Sequence, residues 1–181
     1  TDILFLLISF MFYIIYIMSM RIKKNYLFYN GNKYKCSIGS AGFSNKKKEG
    51  DRCTPIGIFR VTDILFREDK LKDLNTNYDL KTISPRDGWC DDPSSNHYNT
   101  KIKFPFSKSA EKLFRQDNRY DIICITNHNQ NPIIAGAGSA IFIHIASENY
   151  SPTAGCIALS LNDLTEILPT LTKTTDIYFG P

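Results

Sequence analysis

The sequence predicts a mainly β domain with a few short helices, preceded by an apolar N-terminal segment. Three observations support this fold class. Short β-branched and aromatic runs recur along the chain, with turn residues between them. An Asn-Gly pair separates two of these runs, which is the strongest short signal for a β-hairpin. Hydrophobic residues make up 43% of the 181 residues, enough to bury one core, so we expect one domain.

The apolar segment, residues 3–18, is followed by three basic residues, Arg21, Lys23 and Lys24. It is short for a membrane-spanning helix. Three interpretations stay open: a signal-anchor, a signal peptide without an obvious cleavage site, or non-native sequence upstream of a start at Met20. Basic residues directly after a span tend to stay cytoplasmic, which conflicts with an exported domain. We therefore divide the chain into a leader, residues 1–20, and a domain, residues 21–181.

The domain opens with a predicted hairpin, in which residues 25–29 and 33–38 flank the Asn-Gly turn. A loop with three consecutive lysines follows, and a strand resumes over residues 56–62. Residues 75–105 are polar, poor in regular pattern, and contain the only tryptophan, Trp89. A long loop inside a compact domain is usually functional or disordered, and the aromatic and acidic residues here favour an ordered, functional loop.

The second half of the domain combines strands with two short helices. The helices are predicted over residues 108–115 and 162–168, the second ended by Pro169. Further strands are predicted over residues 122–126, 132–135, 140–146, 156–160 and 176–179. Cys124 lies inside the first of these strands and is predicted to pack in the core as a small hydrophobic residue.

Composition argues against two classes of partner. The net charge of +4 is modest and the basic runs are short, without interleaved aromatic residues, so no nucleic-acid partner is predicted. The five cysteines include no Cys-x-x-Cys pair, and the histidines are not at metal-finger spacing, so no metal site is predicted. Two interpretations stay open for Cys36, Cys53 and Cys90: two of them form a disulfide, or all three are free thiols. His97 and His128 are predicted to be surface imidazoles, and Ser139 a turn residue.

Two chemically reactive side chains adjoin apolar runs near the C-terminus. One run ends at His144, and after a loop Cys156 opens the next run. An imidazole is the common partner that gives a thiol its nucleophilic thiolate character. The intervening turn, Thr153-Ala154-Gly155, consists of small residues whose backbone N–H groups can converge on an oxyanion. This pattern predicts a cysteine acyl-transfer enzyme. The alternative interpretation is a hydrogen-bonded core histidine beside an inert buried thiol.

These motifs resemble those of the YkuD-type L,D-transpeptidases. The catalytic signature of that family is a His, a variable loop and Ser/Thr-His-Gly-Cys, which His144 and Thr153-Ala-Gly-Cys156 resemble. Thr54-Pro-Ile-Gly-Ile-Phe59 is similar to the family's Thr-Pro-x-Gly-x-Phe element. Residues 86–93 and 155–164 are similar to segments of a compact bacterial branch. The resemblance spans residues 25–181 and implies a YkuD-like β-sandwich or barrel.

The resemblance also implies a reaction. Cys156 would be the nucleophile and His144 the general base and acid, with Thr153, Ala154 and Gly155 forming the oxyanion turn. The substrates would be peptidoglycan stem peptides, joined by an amide cross-link through a thioester, without a metal or organic cofactor. An L,D-carboxypeptidase or endopeptidase of the same fold, and a catalytically silent peptidoglycan-binding domain, are the alternatives. The bond attacked, the acceptor and the oligomeric state are not predicted.

The chain departs from the family pattern at two positions, since Ala154 replaces a His and Ala158 replaces an Arg. Without that arginine, Arg52, Arg86 or a loop lysine has to hold the carboxylate end of the substrate. The other candidates for substrate binding are Trp89, Asp91, Asp92 and Tyr98. The carboxylates would bind a diaminopimelate amine, and Trp89 would either form the wall of the groove or pack within the loop. The family implies action in the periplasm or cell envelope, and anchoring of the leader in the inner membrane stays open.

Overall fold

The structure, a computed structural model, describes residues 5–6, 19–45 and 47–181. Most of the leader therefore lies outside the described residues, and so does the choice among its three interpretations. The first strand begins at Met20, whose side chain is buried in the core. None of the helices in the described ranges has the length and apolar character needed to span a membrane.

Strands make up most of the regular structure. They are β1 (Met20–Lys23), β2 (Tyr26–Tyr29), β3 (Asn32–Ser37), β4 (Phe43–Ser44), β5 (Thr54–Pro55), β6 (Gly57–Phe59), β7 (Val61–Phe66), β8 (Leu80–Thr82), β9 (Asp87–Cys90), β10 (Lys101–Lys103), β11 (Ala110–Lys112), β12 (Ile122–Thr126), β13 (Phe142–Ile145), β14 (Ile157–Leu159) and β15 (Ile177–Gly180). One helix, α1 (Leu161–Ile167), continues into a 3₁₀ turn (Leu168–Thr170). The prediction of a mainly β domain is confirmed.

Ten strands form one curled sheet, in the order β6-β15-β1-β2-β3-β14-β13-β12-β7-β8. Strands β6 and β7 are neighbours in the chain, joined only by Arg60, yet they lie near opposite ends of this order. The sheet must therefore curl back on itself. Asn127 holds the backbone at Arg60 with two hydrogen bonds. Its N–H donates to the Arg60 carbonyl and its Oδ1 accepts from the Arg60 N–H, both at 2.9 Å.

The curled sheet buries apolar side chains on both of its faces. Its concave face encloses the main core, which includes Ile22, Ile143 and Leu159, and Leu164 of α1 belongs to the same core. On the convex face of β12 and β13, a second core forms around Phe142 and Trp89 beneath a small sheet of order β10-β9-β11. Side chains alternate between faces along a strand, so successive residues of β13 enter different cores.

Two of the predicted elements are wrong. Residues 108–115 do not form a helix, because β11 pairs with β9 and places Glu111 opposite Trp89. Pairing with an available strand edge overrides local helix propensity there. Residues 132–135 do not form a strand. The Asn129 side chain instead bonds both the N–H and the carbonyl of Ile134, at 2.8 and 2.9 Å, and holds the segment as a loop.

The other predicted elements are present, with shifted ends. The hairpin is β2–β3, and the predicted strand 56–62 is broken at Arg60 into β6 and β7. The helix at residues 162–168 is confirmed as α1, which begins after Ser160, whose Oγ accepts from the Asp163 N–H at 3.0 Å. The segment 75–105 is ordered and contains β8, β9 and β10, which the polar pattern did not predict.

The cysteines and histidines outside the active-site candidates also have defined places. All five cysteines are free, and Cys124 is fully buried as predicted. His97 is exposed, but the prediction of a surface imidazole is wrong for His128, which is partly buried. Its ring contacts Phe59, and burial lowers its pKa to about 4.

Candidate active site

The pairing of β13 with β14 brings His144 and Cys156 to the same face of the sheet. The two strands are parallel, with His144 opposite Ala158, and Cys156 directly precedes β14. Because strand side chains alternate with period two, Cys156 and Ala158 point to the face that carries Phe142 and His144. The register therefore makes the predicted nucleophile and base diagonal neighbours, and both line one cavity.

The Cys156 turn has a shape that requires glycine. Gly155 has a φ of +140°, and a Cβ added to it would lie 2.8 Å from the Cys53 carbonyl oxygen. The Thr153 hydroxyl donates to the Cys156 carbonyl at 2.6 Å and accepts from the Gly155 N–H at 3.1 Å. The predicted turn residues therefore lie together, but the Gly155 N–H is engaged by Thr153 and does not face an open oxyanion position.

Thr54, from the Thr-Pro-x-Gly-x-Phe element, connects this turn to the rest of the domain. Its side chain is fully buried. The hydroxyl donates to the Gly155 carbonyl and accepts from the Gly39 N–H, both at 2.9 Å. Gly39 has no room for a side chain, since a Cβ there would lie 2.3 Å from the Arg52 carbonyl oxygen. One hydroxyl thus fixes the nucleophile turn against β5.

The Cys156 thiol is buried and neutral in the resting structure. Its Sγ donates to the Ala140 carbonyl at 3.0 Å and accepts from the Phe142 N–H at 3.4 Å. Burial raises the pKa of Cys156 to about 12, and the nearby Glu111 carboxylate also raises it. A thiolate would have to form by proton transfer when a substrate arrives, since little of it exists at neutral pH.

His144 is held in the tautomer that a general base needs. Its Nδ1 lies 2.9 Å from the Ile145 carbonyl oxygen, which can only accept, so Nδ1 carries the proton and Nε2 the lone pair. Burial lowers the pKa of His144 to about 4, and the positive charges of Arg119 and Arg115 lower it further. The imidazole is therefore neutral and able to accept a proton at Nε2.

Tyr120 and Glu111 line the same cavity beside the imidazole, which the sequence did not predict. The Tyr120 ring meets the His144 ring edge-on, with centroids 5.1 Å apart, and its hydroxyl donates to Glu111 Oε1 at 2.6 Å. Burial raises the pKa of Glu111. Glu111 lies in the segment that was predicted to be a helix, so its position beside the site could not be inferred. The acidic and basic residues clustered directly before β12 were the one sequence feature that could have indicated a site at this position.

The cavity has a volume of about 1080 Å³ and carries both signs of charge. Its basic residues are Lys47, Arg52, Arg115 and Arg119. Its acidic residues are Glu49, Asp91, Glu111, Asp117 and Glu148. Part of this charge is already neutralised, since Lys47 pairs with Asp51, and Asp117 pairs with Arg115 and Arg119. The cavity can therefore receive a ligand that carries both an ammonium and a carboxylate.

The structure separates the predicted substrate-binding residues. Asp91 lines the cavity, and its buried Oδ1 has no hydrogen-bond partner among the described residues. Tyr98 is buried behind the cavity wall, where its hydroxyl donates to Glu49 at 2.5 Å. Trp89 lies in the second core, 5.1 Å from the Phe142 ring between centroids, and does not line the cavity.

The remaining substrate candidates lie at the surface or in the cavity wall. The Asp92 carboxylate accepts from Ser94, and the Arg86 guanidinium donates to the Phe104 carbonyl at 2.5 Å, both outside the cavity. Arg52 and the loop lysine Lys47 line the cavity, as does the predicted turn residue Ser139. In the part of the chain that is described, no group of three or more His, Cys, Asp or Glu side chains could hold a metal ion.

One of the comparisons with known proteins shows the family of this chain. No curated protein matches the chain significantly. A family model of the L,D-transpeptidase catalytic domain, YkuD, matches residues 16–178, which is nearly the whole chain. That range contains the curled sheet except the last two residues of β15, together with the Thr54 element, His144 and Cys156. The chain therefore belongs to the YkuD family of L,D-transpeptidase catalytic domains.

Proposed function

We propose that the protein is a peptidoglycan L,D-transpeptidase, in which Cys156 forms a thioester with one stem peptide and transfers it to the amine of another. The observation that carries this proposal is the placement of Cys156 and His144 side by side on one sheet face, at a cavity with both signs of charge. Membership of the YkuD family supports the substrate class. The same membership favours action in the cell envelope.

The proposed reaction begins from a neutral pair. As the substrate carbonyl approaches, His144 Nε2 takes the thiol proton and Sγ attacks the carbonyl carbon of an L-configured centre. The tetrahedral intermediate collapses to a thioester, and the leaving amine takes the proton from His144. The acceptor amine then attacks the thioester and gives up a proton to His144, which returns it to Sγ. Atoms and protons balance without a metal or cofactor.

Backbone N–H groups of the Thr153–Cys156 turn are assigned to the oxyanion in this proposal. They act where charge develops, which is usually the largest contribution to acyl transfer. The Gly155 N–H becomes available only if it leaves the Thr153 hydroxyl. The Cys156 N–H is the candidate that needs no such change.

The charged lining of the cavity is assigned to recognition of the stem peptides. Asp91 and Glu111 would receive an ammonium, because the Asp91 Oδ1 is buried without a partner and both residues line the cavity. Arg52 and Lys47 would receive a carboxylate, in place of the arginine that Ala158 replaces. Trp89, Asp92 and Arg86 lie outside the cavity and have no direct role in this proposal.

The test is an incubation of the full chain and its Cys156→Ala variant with a disaccharide-tetrapeptide, followed by mass spectrometry. We expect a dimer that has lost one D-alanine with the wild type and no product with the variant. Fragmentation of the dimer would show which residues are joined. A tetrapeptide that is shortened but not joined to a second one would show that the enzyme hydrolyses the bond and does not transfer the peptide. No Cys156-dependent product would favour a silent binding domain or another substrate.

A further inference from the structure

The convex face of the sheet has a second region that the proposed chemistry does not use. Across β6, β15, β1, β2 and β3, five side chains stand in register: Ile58, Tyr178, Arg21, Phe28 and Lys33. Lys23, Tyr26 and Lys35 lie two positions away from these residues on β1, β2 and β3. Because side chains alternate along a strand, they point to the same face. We call the exposed set Lys23, Tyr26, Phe28, Lys33, Lys35 and Tyr178 the basic face.

The basic face carries positive charge with no acidic residue among its members. Lys23 of β1 and Lys33 and Lys35 of β3 are exposed, and Arg21 of β1 lies on the same face. Asp176, which directly precedes β15, is paired with Arg60. Charge complementarity therefore requires an anionic partner for this surface.

The same surface exposes large apolar side chains. Tyr26, Phe28 and Tyr178 are 38–40% exposed, and Ile58 is 64% exposed. The ammonium of Lys33 lies 3.8 Å from the centroid of the Tyr26 ring, so aromatic and cationic groups are interleaved. Aromatic rings at the headgroup level with lysines extended around them are typical of protein surfaces that lie on membranes.

The chain itself leads from an apolar segment into this face. Residues 3–18 are almost wholly apolar, and β1, in the middle of the basic face, begins at Met20. If the apolar segment enters a bilayer, β1 follows within a few residues, roughly 10 Å of extended chain. We propose that the basic face docks on the surface of a membrane that contains anionic lipid. This inference is independent of the cross-linking reaction.

The alternative partner for a basic, aromatic surface is peptidoglycan. Lys35 lies 4.4 Å above the Tyr150 ring, in the loop whose residues Ser147, Glu148 and Ser151 line the cavity, so the two surfaces adjoin. The apolar segment and the exposed Ile58 favour lipid, because neither would contribute to binding a polar polymer. The experiment includes both partners.

The test measures co-sedimentation of the full chain with vesicles of pure phosphatidylcholine and vesicles containing phosphatidylglycerol, at low and high salt. A variant combining Lys23→Glu, Lys33→Glu and Lys35→Glu removes the lysines of the face. A control combines Lys72→Glu, Lys108→Glu and Lys112→Glu, which are exposed residues elsewhere and change the net charge equally. Because the leader is present in every sample, the preference for anionic over neutral vesicles isolates the contribution of the face.

We expect the face variant to lose roughly a hundredfold in partitioning to anionic vesicles at low salt, with little change for neutral vesicles. The control should keep the wild-type preference. Equal partitioning of all three proteins would overturn the proposal. So would a face variant that loses retention on insoluble peptidoglycan while it keeps the vesicle preference. The urea midpoint of the face variant should match that of the control, which confirms its fold without relying on the proposed reaction.

Discussion

At the scale of single residues, the Cys156–His144 pair is neutral at rest. Burial raises the pKa of the thiol to about 12 and lowers the pKa of the imidazole to about 4, so neither carries charge near pH 7. A thiolate–imidazolium pair in the absence of a ligand would place two charges in the protein interior, and their desolvation costs free energy. The neutral pair avoids that cost.

The buried Thr54 hydroxyl holds the turn before Cys156 against β5. The Thr54→Val variant keeps the volume but leaves the Gly39 N–H and the Gly155 carbonyl without their partner. We expect it to lose about 1–3 kcal/mol of unfolding free energy, the cost of buried polar groups left unsatisfied. Urea denaturation measures this loss. The matched Thr54→Ser variant retains the hydroxyl, and an equal loss in both variants would mean that the two hydrogen bonds contribute nothing.

At the scale of elements, β11 brings a carboxylate close to Cys156 and His144. Glu111 accepts from the hydroxyl of Tyr120, which packs against His144, and its charge raises the pKa of Cys156. One short strand thus affects both the packing of the imidazole and the pKa of the thiol. It also adds an acidic side chain to the cavity.

The Glu111→Gln variant should therefore make the Cys156 thiol easier to ionise. Removing the negative charge lowers the pKa of Cys156, so alkylation by iodoacetamide should reach its half-maximal rate at a lower pH than in the wild type. The control is Glu166→Gln, because Glu166 accepts from Tyr34 on the opposite face of the sheet. Cys156 should be followed by peptide mass mapping. An unchanged pH profile would show that Glu111 does not act on the thiol.

An element could be predicted when its own residues carry the sequence pattern that forms it. The hairpin, α1 and the strand around Cys124 carry turn, capping or apolar signals within their own residues, and all three are present. Strand β11 carries no such signal, since it exists because β9 offers an edge. That is why the sequence could predict that His144 and Cys156 lie on neighbouring strands. It could not predict that Glu111 and Tyr120 lie beside them. Trp89 was predicted correctly only as belonging to an ordered segment, because its burial depends on Phe142 from a distant strand.

At the scale of the whole molecule, the buried imidazole makes stability depend on pH. The pKa of His144 is about 4 when folded and about 6.5 when unfolded. Between these values the unfolded chain binds more protons, so the free energy of unfolding should fall as the pH falls through this window. From pH 7 to pH 5 the His144 contribution is about 2 kcal/mol. His128 acts in the same direction.

Urea unfolding of the wild type and of His144→Gln at both pH values tests this expectation. The variant should lose less stability between pH 7 and pH 5 than the wild type, because glutamine does not titrate. The remaining loss reports His128 and the carboxylates. An identical loss in both proteins would mean that the folded His144 titrates like an unfolded one.

The order of strands in the curled sheet has a consequence for synthesis. Strand β15, the last of the described strands in sequence, lies between β1 and β6 and is hydrogen-bonded to both. Until its residues leave the ribosome, β1 and β6 have an open edge where β15 belongs and the main core lacks Ile177 and Phe179. Contacts this distant in sequence are costly to form and slow folding. The nascent chain should therefore stay incompletely folded, and accessible to chaperones, until residues 177–180 have been synthesised.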